Sequence, residues 1–158
     1  MRVTTLCVGG VKGQLGGAIH DYEERACRYW RFRAVEVEPG LGRRARGTPR
    51  GVLKAEGARL VAQLPDRGEV VALTRGGTAM DSRELAGFLQ DQALRSVPDV
   101  TFVIGGAFGL GEEVLTRSTT TLSLSTLTLP HELARLLLAE QLYRAGTISR
   151  NEPYHKGP

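Results

Sequence analysis

The residues able to do chemistry in this 158-residue chain gather between Thr101 and His155. An apolar run, Thr101-Phe102-Val103-Ile104, empties into Gly105-Gly106-Ala107-Phe108-Gly109-Leu110-Gly111, four glycines in seven residues. Glycines directly after a buried strand let backbone N–H groups come close to a ligand, and they equally suit an ordinary tight α/β turn. The loop does not suit a polyphosphate. Ile104 stands where a dinucleotide fingerprint needs its first glycine, and Glu112-Glu113 follow Gly111 where a P-loop needs Lys and Ser or Thr. The two acids instead complement the positive end of a helix dipole. A second stretch, Leu122 to His131, alternates leucines with small hydroxyls before a long apolar helix. His131, Glu132 and His155 are the titratable groups near these stretches that could move a proton. Arg144 can contact phosphate or pair with Glu140, one helical turn away.

Strands must deliver these loops. Arg2 to Val8, Arg33 to Glu38, Glu69 to Thr74 and Asp99 to Ile104 read as four strands, the third nearly continuous in Val70, Val71, Ala72 and Leu73 as a parallel strand covered on both faces would be. Helices are expected at 16–30, 51–64, after Asp81, near 113–118 and at 131–146; Asp81 with Glu84 makes a capping box. Such alternation predicts an α/β fold with a mostly parallel sheet in one domain over 1–158. Ligands of these sheets bind beyond the carboxyl ends of the strands, which places Thr74 to Gly77, Gly105 to Gly111 and Ser125 to Pro130 together. The aromatic stripe Tyr22 and Tyr29 on the first helix reads as core. Leucines spread around most of the 131–146 helix, so it is buried on more than one side, and a second copy of the chain is the expected cover.

Composition sets limits. Hydrophobic residues at 41% and charged ones at 24% fit an ordinary globular protein, with no apolar run of the roughly 18 residues a membrane span requires. No leader is evident, and cytoplasm is the expected location. Cys7 and Cys27 show no metal or redox spacing, and buried reduced thiols are expected. The net charge of +4, mostly from arginine, is compatible with an RNA partner. Arg43, Arg44, Arg46 and Arg50 lie among Gly and Pro residues, as a solvated loop or as a basic finger for RNA phosphates.

Four ordered motifs together resemble one family. They are Ile-Gly-Gly-x-x-Gly-Leu at 104–110, Leu-Ser-x-x-Thr-Leu-Pro-His at 124–131, Glu140 to Ala145, and Pro153-Tyr154-His155. The chain resembles, over nearly its whole length, the ribosomal RNA large subunit methyltransferase H family of the SPOUT superfamily. The resemblance implies a C-terminal trefoil knot and a homodimer. It implies S-adenosylmethionine held by Leu73, Gly105, Gly106, Gly109, Ser125, Thr126, Leu127, Thr128, Leu129 and Pro130, with no metal. It implies transfer to N3 of a pseudouridine in 23S ribosomal RNA on the ribosome, with His155, Tyr154 and Arg144 engaging the target nucleotide; a ring can stack on a base and a histidine can move a proton. Thr74, Ala107 and the extra Gly157-Pro158 depart from the family pattern. A SPOUT enzyme for another RNA such as tRNA, or a non-catalytic ribosome-binding module, are the rival readings.

Overall fold

The computed structural model describes residues 1–41 and 47–155. Arg43, Arg44 and Arg46 of the basic stretch, and Lys156 to Pro158, lie outside them. Five strands form one wholly parallel sheet in the order β2-β1-β4-β3-β5: β1 Arg2–Val8, β2 Arg31–Val37, β3 Glu69–Ala79, β4 Asp99–Ile104 and β5 Thr120–Ser123. Between them run α1 Leu15–Ala26, α2 Pro49–Val61, α3 Ser82–Leu94 and α4 Glu112–Arg117, and α5 His131–Ser149 closes the fold.

Both faces of the sheet are covered, which is why its central strands are mostly apolar and their threonines, Thr4, Thr5 and Thr101, are buried. On one face Val3, Val71, Phe102 and Leu122 pack with Ala26 of α1, Leu85 and Leu89 of α3, and Leu138 and Leu142 of α5. On the other, Leu6, Val8, Val70 and Val103 meet Leu60 of α2 and Val114 of α4. The capping box at α3 forms as expected: Asp81 accepts from the Arg83 and Glu84 amides, and Glu84 accepts from the Asp81 amide at 2.7 Å. Among the described residues no helix is long and apolar enough to cross a membrane.

The fold differs from the sequence expectation in four respects. Thr120-Thr-Leu-Ser123 is a fifth strand, with Leu122 its one large apolar anchor. Thr74 to Gly77 is not an open loop: β3 runs through it, and a register shift between Leu73 and Thr78 lets both pair with Leu122. Only glycine is tolerated at 77, because a Cβ there would stand 2.7 Å from the Leu122 carbonyl carbon. Cys7 is buried but Cys27, at the C-cap of α1, is exposed. Leu138 and Leu142 face the chain's own sheet at 0% exposure, so the outward apolar side of α5 rests on residues such as Leu133, 40% exposed.

Beneath the sheet's carboxyl edge an ion network centred on the buried Arg135 joins three elements. Arg135 of α5 donates to Glu23 of α1 at 2.7 Å and to Glu36 of β2 at 2.5 Å, and also points at the Cys7 sulfur, 3.5 Å away. Burial opposes the guanidinium charge, but the hydrogen bonds to Glu23 and Glu36 outweigh it and hold Arg135 firmly protonated. Burial pushes the Cys7 thiol up to about 11.

Candidate functional site

A cleft of about 1180 Å³ opens beyond the carboxyl ends of β1, β4 and β3, walled by the loop that links β5 to α5. Of the ten residues expected to hold a cofactor, Leu73, Gly105, Gly106, Gly109, Ser125, Leu127, Thr128, Leu129 and Pro130 line it, while Thr126 does not. The residues come together because β4 lies at the middle of the sheet, β3 beside it, and the 124–130 loop passes over both.

The glycines of the 105–111 loop serve the protein's own packing as well as the cleft. Gly109 N–H donates to the Gly106 carbonyl at 3.0 Å, and Gly109 takes a left-handed φ of +83°. A Cβ at Gly105 would stand 2.3 Å from the Gly109 carbonyl oxygen. A Cβ at Gly106 would point at Glu56, 2.6 Å from Oε2. So the space beside Gly106 belongs to a carboxylate of α2, where the sequence suggests a ligand. Glu56 is 4% exposed; its Oε1 accepts from the Gly40 amide at 2.7 Å, and its Oε2 has no partner among the described residues.

The 124–130 loop is fixed by hydroxyls. Ser123 O–H lies 3.1 Å from both the Arg75 and Ser125 carbonyl oxygens, and Leu127 N–H donates to Ser125 Oγ at 3.0 Å. This turn holds the Leu127 side chain 72% exposed at the cleft rather than in the core. With Leu73 and Leu129 it forms an apolar wall that an aromatic ligand such as a purine would cover. That wall beside backbone-rich glycine loops suits an adenosyl group, and the residues present fit such a cofactor.

The tail residues lie elsewhere. Tyr154 O–H donates to Glu140 Oε1 at 3.0 Å, and Arg144 donates to the same oxygen from Nε at 3.0 Å and Nη2 at 2.5 Å. The Arg144 guanidinium also covers the Tyr154 ring at 4.8 Å, and Tyr154 packs on Tyr143 at 4.6 Å between centroids. Burial and hydrogen bonding to Tyr22 and Glu140 raise the Tyr154 hydroxyl well above the ordinary tyrosine range. His155 accepts a long 3.5 Å contact from Arg83, and its Nδ1 is buried without a partner among the described residues. Glu140 is nine residues past His131, about 13 Å along the helix axis, and none of Arg144, Tyr154 and His155 lines the chain's own cleft.

Sequence reasoning passed over much of the opposite wall: Gly9, Gly10, Lys12, Pro39, Gly40 and Glu56 also line the cleft. The signal was present, since Gly9-Gly10 end a buried strand just as Gly105-Gly106 do. His131 and Glu132 belong to this wall too. Among the described residues no group of three or more His, Cys, Asp or Glu is placed to hold a metal.

Comparison with known proteins identifies the family. The family model described as predicted SPOUT methyltransferase matches residues 1–155. A protein of Gemmatimonas aurantiaca named ribosomal RNA large subunit methyltransferase H is 50% identical over 157 residues, covering 99% of this chain and 100% of the relative. A namesake in Syntrophotalea carbinolica is 40% identical, covering 98% and 99%. The crystal structure of a probable methyltransferase from Bordetella pertussis Tohama I superposes with a TM-score of 0.54 at 18% identity over 91% of this chain and 95% of that one, a likeness of fold. The chain therefore belongs to the SPOUT methyltransferases, within the ribosomal RNA large subunit methyltransferase H family.

Proposed function

We propose that the chain is a homodimeric enzyme of the cytoplasm that transfers a methyl group from S-adenosylmethionine to N3 of a pseudouridine in 23S ribosomal RNA on the assembled ribosome. The observation that carries this is the single cleft in which the loops after β3, β4 and β5 converge, in a chain 50% identical to a relative of that name. When bound, the cofactor supplies an electrophilic methyl group together with its own leaving group. Gly105, Gly106 and the 125–130 backbone orient it, and Leu73, Leu127 and Leu129 exclude water from its ring face. The protein's contribution is then mainly position and electrostatics.

The acceptor nitrogen must lose a proton as the N–C bond forms, and among the described residues His131, Glu132 and Glu56 are the imidazole and carboxylate groups that line the cleft, beside the cations Lys12 and Arg75. Tyr154, His155 and Arg144 engage the target nucleotide only from a cleft other than their own, which a symmetric dimer provides. Leu133, exposed on the first turn of α5, belongs to that interface. The side chain of Thr126 stays outside the cleft lining.

Two measurements test the reading. S-adenosylhomocysteine at a hundredfold excess over Kd should stabilise the protein by about 2.7 kcal/mol, a rise in Tm of roughly 5–11 °C for a chain of this size. Ribosomes from cells lacking the modification should then accept label from methyl-labelled S-adenosylmethionine at the single N3 position. A protein that binds the nucleoside but labels only transfer RNA would refute the substrate, and one that does not bind it would refute the enzyme.

A further inference from the structure

The cleft does not end with the cofactor loops. It continues past β4 to the end of β1, where Gly9, Gly10 and Lys12 join Pro39 and Gly40 from the β2 side and His131 and Glu132 from α5. Small-molecule sites run to roughly 300–1,000 Å³, so a cleft of about 1180 Å³ has room for more than one small ligand. We propose that this β1 end is the acceptor subsite, seating a uridine-type nucleotide with its phosphate on Lys12 and its base edge on His131. The inference rests on the proposed function for the nature of the acceptor, and on the structure for its place.

Lys12 is the observation that points to phosphate. It is exposed, it lines the cleft, and its ammonium makes no ion pair among the described residues. Its backbone N–H donates to Glu132 Oε1 at 3.0 Å. That bond ties the β1–α1 loop to the first turn of α5, so Lys12 and His131 belong to one wall and move together.

His131 points to a base. Its Nε2 is buried and has no partner among the described residues, an arrangement that costs free energy until a ligand supplies one. A Cβ at position 9 would stand 3.2 Å from that nitrogen, tighter than ordinary packing. Glycine, here left-handed at a φ of +84°, keeps that spot clear. The imide edge of a uracil-type ring offers both an N–H and carbonyl oxygens, so either protonation state of the imidazole finds a complement. No group of the β4 side duplicates this pair: Arg75, the other cation lining the cleft, lies on β3.

The test uses the intact dimer and two variants, Lys12→Ala and His131→Asn. Both should bind S-adenosylmethionine within twofold of the parent by calorimetry. In transfer to unmodified ribosomes, Lys12→Ala should raise KM about tenfold with kcat little changed, and flatten the dependence of log KM on log salt by about one unit, the signature of one lost phosphate contact. His131→Asn should lower kcat more than it alters the salt slope. Unchanged KM and salt slope in Lys12→Ala, or loss of cofactor binding in either variant, would overturn the subsite. A second readout needs no turnover: uridine 5′-monophosphate titrated into the S-adenosylhomocysteine complex should shift the amide resonances of Gly10, Lys12 and His131, and less so in Lys12→Ala. Shifts confined to 105–110, or none at millimolar nucleotide, would overturn the proposal. If the parent enzyme methylated no ribosome, the proposed function would fall while this titration still decided the subsite.

Discussion

Replacing Gly106 by alanine separates the two roles of the glycine loop. The added methyl would lie 2.6 Å from Glu56 Oε2 and 3.0 Å from Oε1, about 0.8 Å and 0.4 Å inside ordinary contact. If Glu56 stays, the overpacking costs about 1–3 kcal/mol. If it swings away, it gives up its bond from the Gly40 amide, 2.7 Å long, and a hydrogen bond to a charged group is worth about 1.5–3 kcal/mol. Both routes converge on a loss of about 2 kcal/mol, or roughly 4–8 °C in Tm. Urea melting with an unchanged m-value measures it. The decisive comparison is the same substitution in a Glu56→Ala background, where the methyl has room and alanine should be neutral or slightly stabilising, by about 0.4–1 kcal/mol. Equal cost in both backgrounds would refute the view that Gly106 is glycine because of Glu56.

Ending the chain after Glu152 should leave S-adenosylmethionine affinity within about twofold, since Tyr154 and His155 lie outside the cleft, and should lower transfer to ribosomes at least tenfold; full activity would make the tail ornamental. Light scattering should give about twice the 17.1 kDa chain mass, reduced by Leu133→Glu; Leu138→Glu should instead unfold the monomer, because Leu138 is 0% exposed in the chain's own core. The Cys7 thiol, raised from 9.0 to about 11 by burial, contributes stability that is complete below pH 9 and disappears as pH rises through 11. Urea melts at pH 8 and 11 should therefore show a loss about 2–3 kcal/mol larger in the parent than in Cys7→Ala; equal losses would rule the thiol out.

Legibility followed the physics of burial. The strands β1, β3 and β4, enclosed on both faces, announce themselves as apolar runs, and the α3 start is visible as Asp81 and Glu84 because capping is a local exchange of hydrogen bonds. Thr120–Ser123 was not visible, since an edge strand held by one leucine and by backbone bonds has no pattern of its own. The two glycines 76 and 77 read as a loop because the bulge that keeps them in β3 depends on the distant Leu122 backbone. In the cleft, the residues contiguous in sequence were readable and the β1 wall was not: Lys12 and Glu132 are 120 positions apart, and only the folded chain joins them. The sequence groups Tyr154 and His155 with Arg144; in the fold Tyr154 and Arg144 meet on Glu140 while His155 faces Arg83, and none of the three lines its own chain's cleft.

The contact between glycine backbones and carboxylate tips has a consequence for how this protein can change over generations. Gly10 sits where a Cβ would be 2.7 Å from Glu36 Oε2, as Gly106 does over Glu56. Each pair is coupled by contact. A side chain can appear at the glycine only if the acid moves aside or shortens, and either change loosens its hold on Arg135 in one case and on the Gly40 amide in the other. Change at either member of a pair is therefore felt by the other. Lineages with a short residue at 36 or 56 should carry a glycine beside it that no longer has to be one.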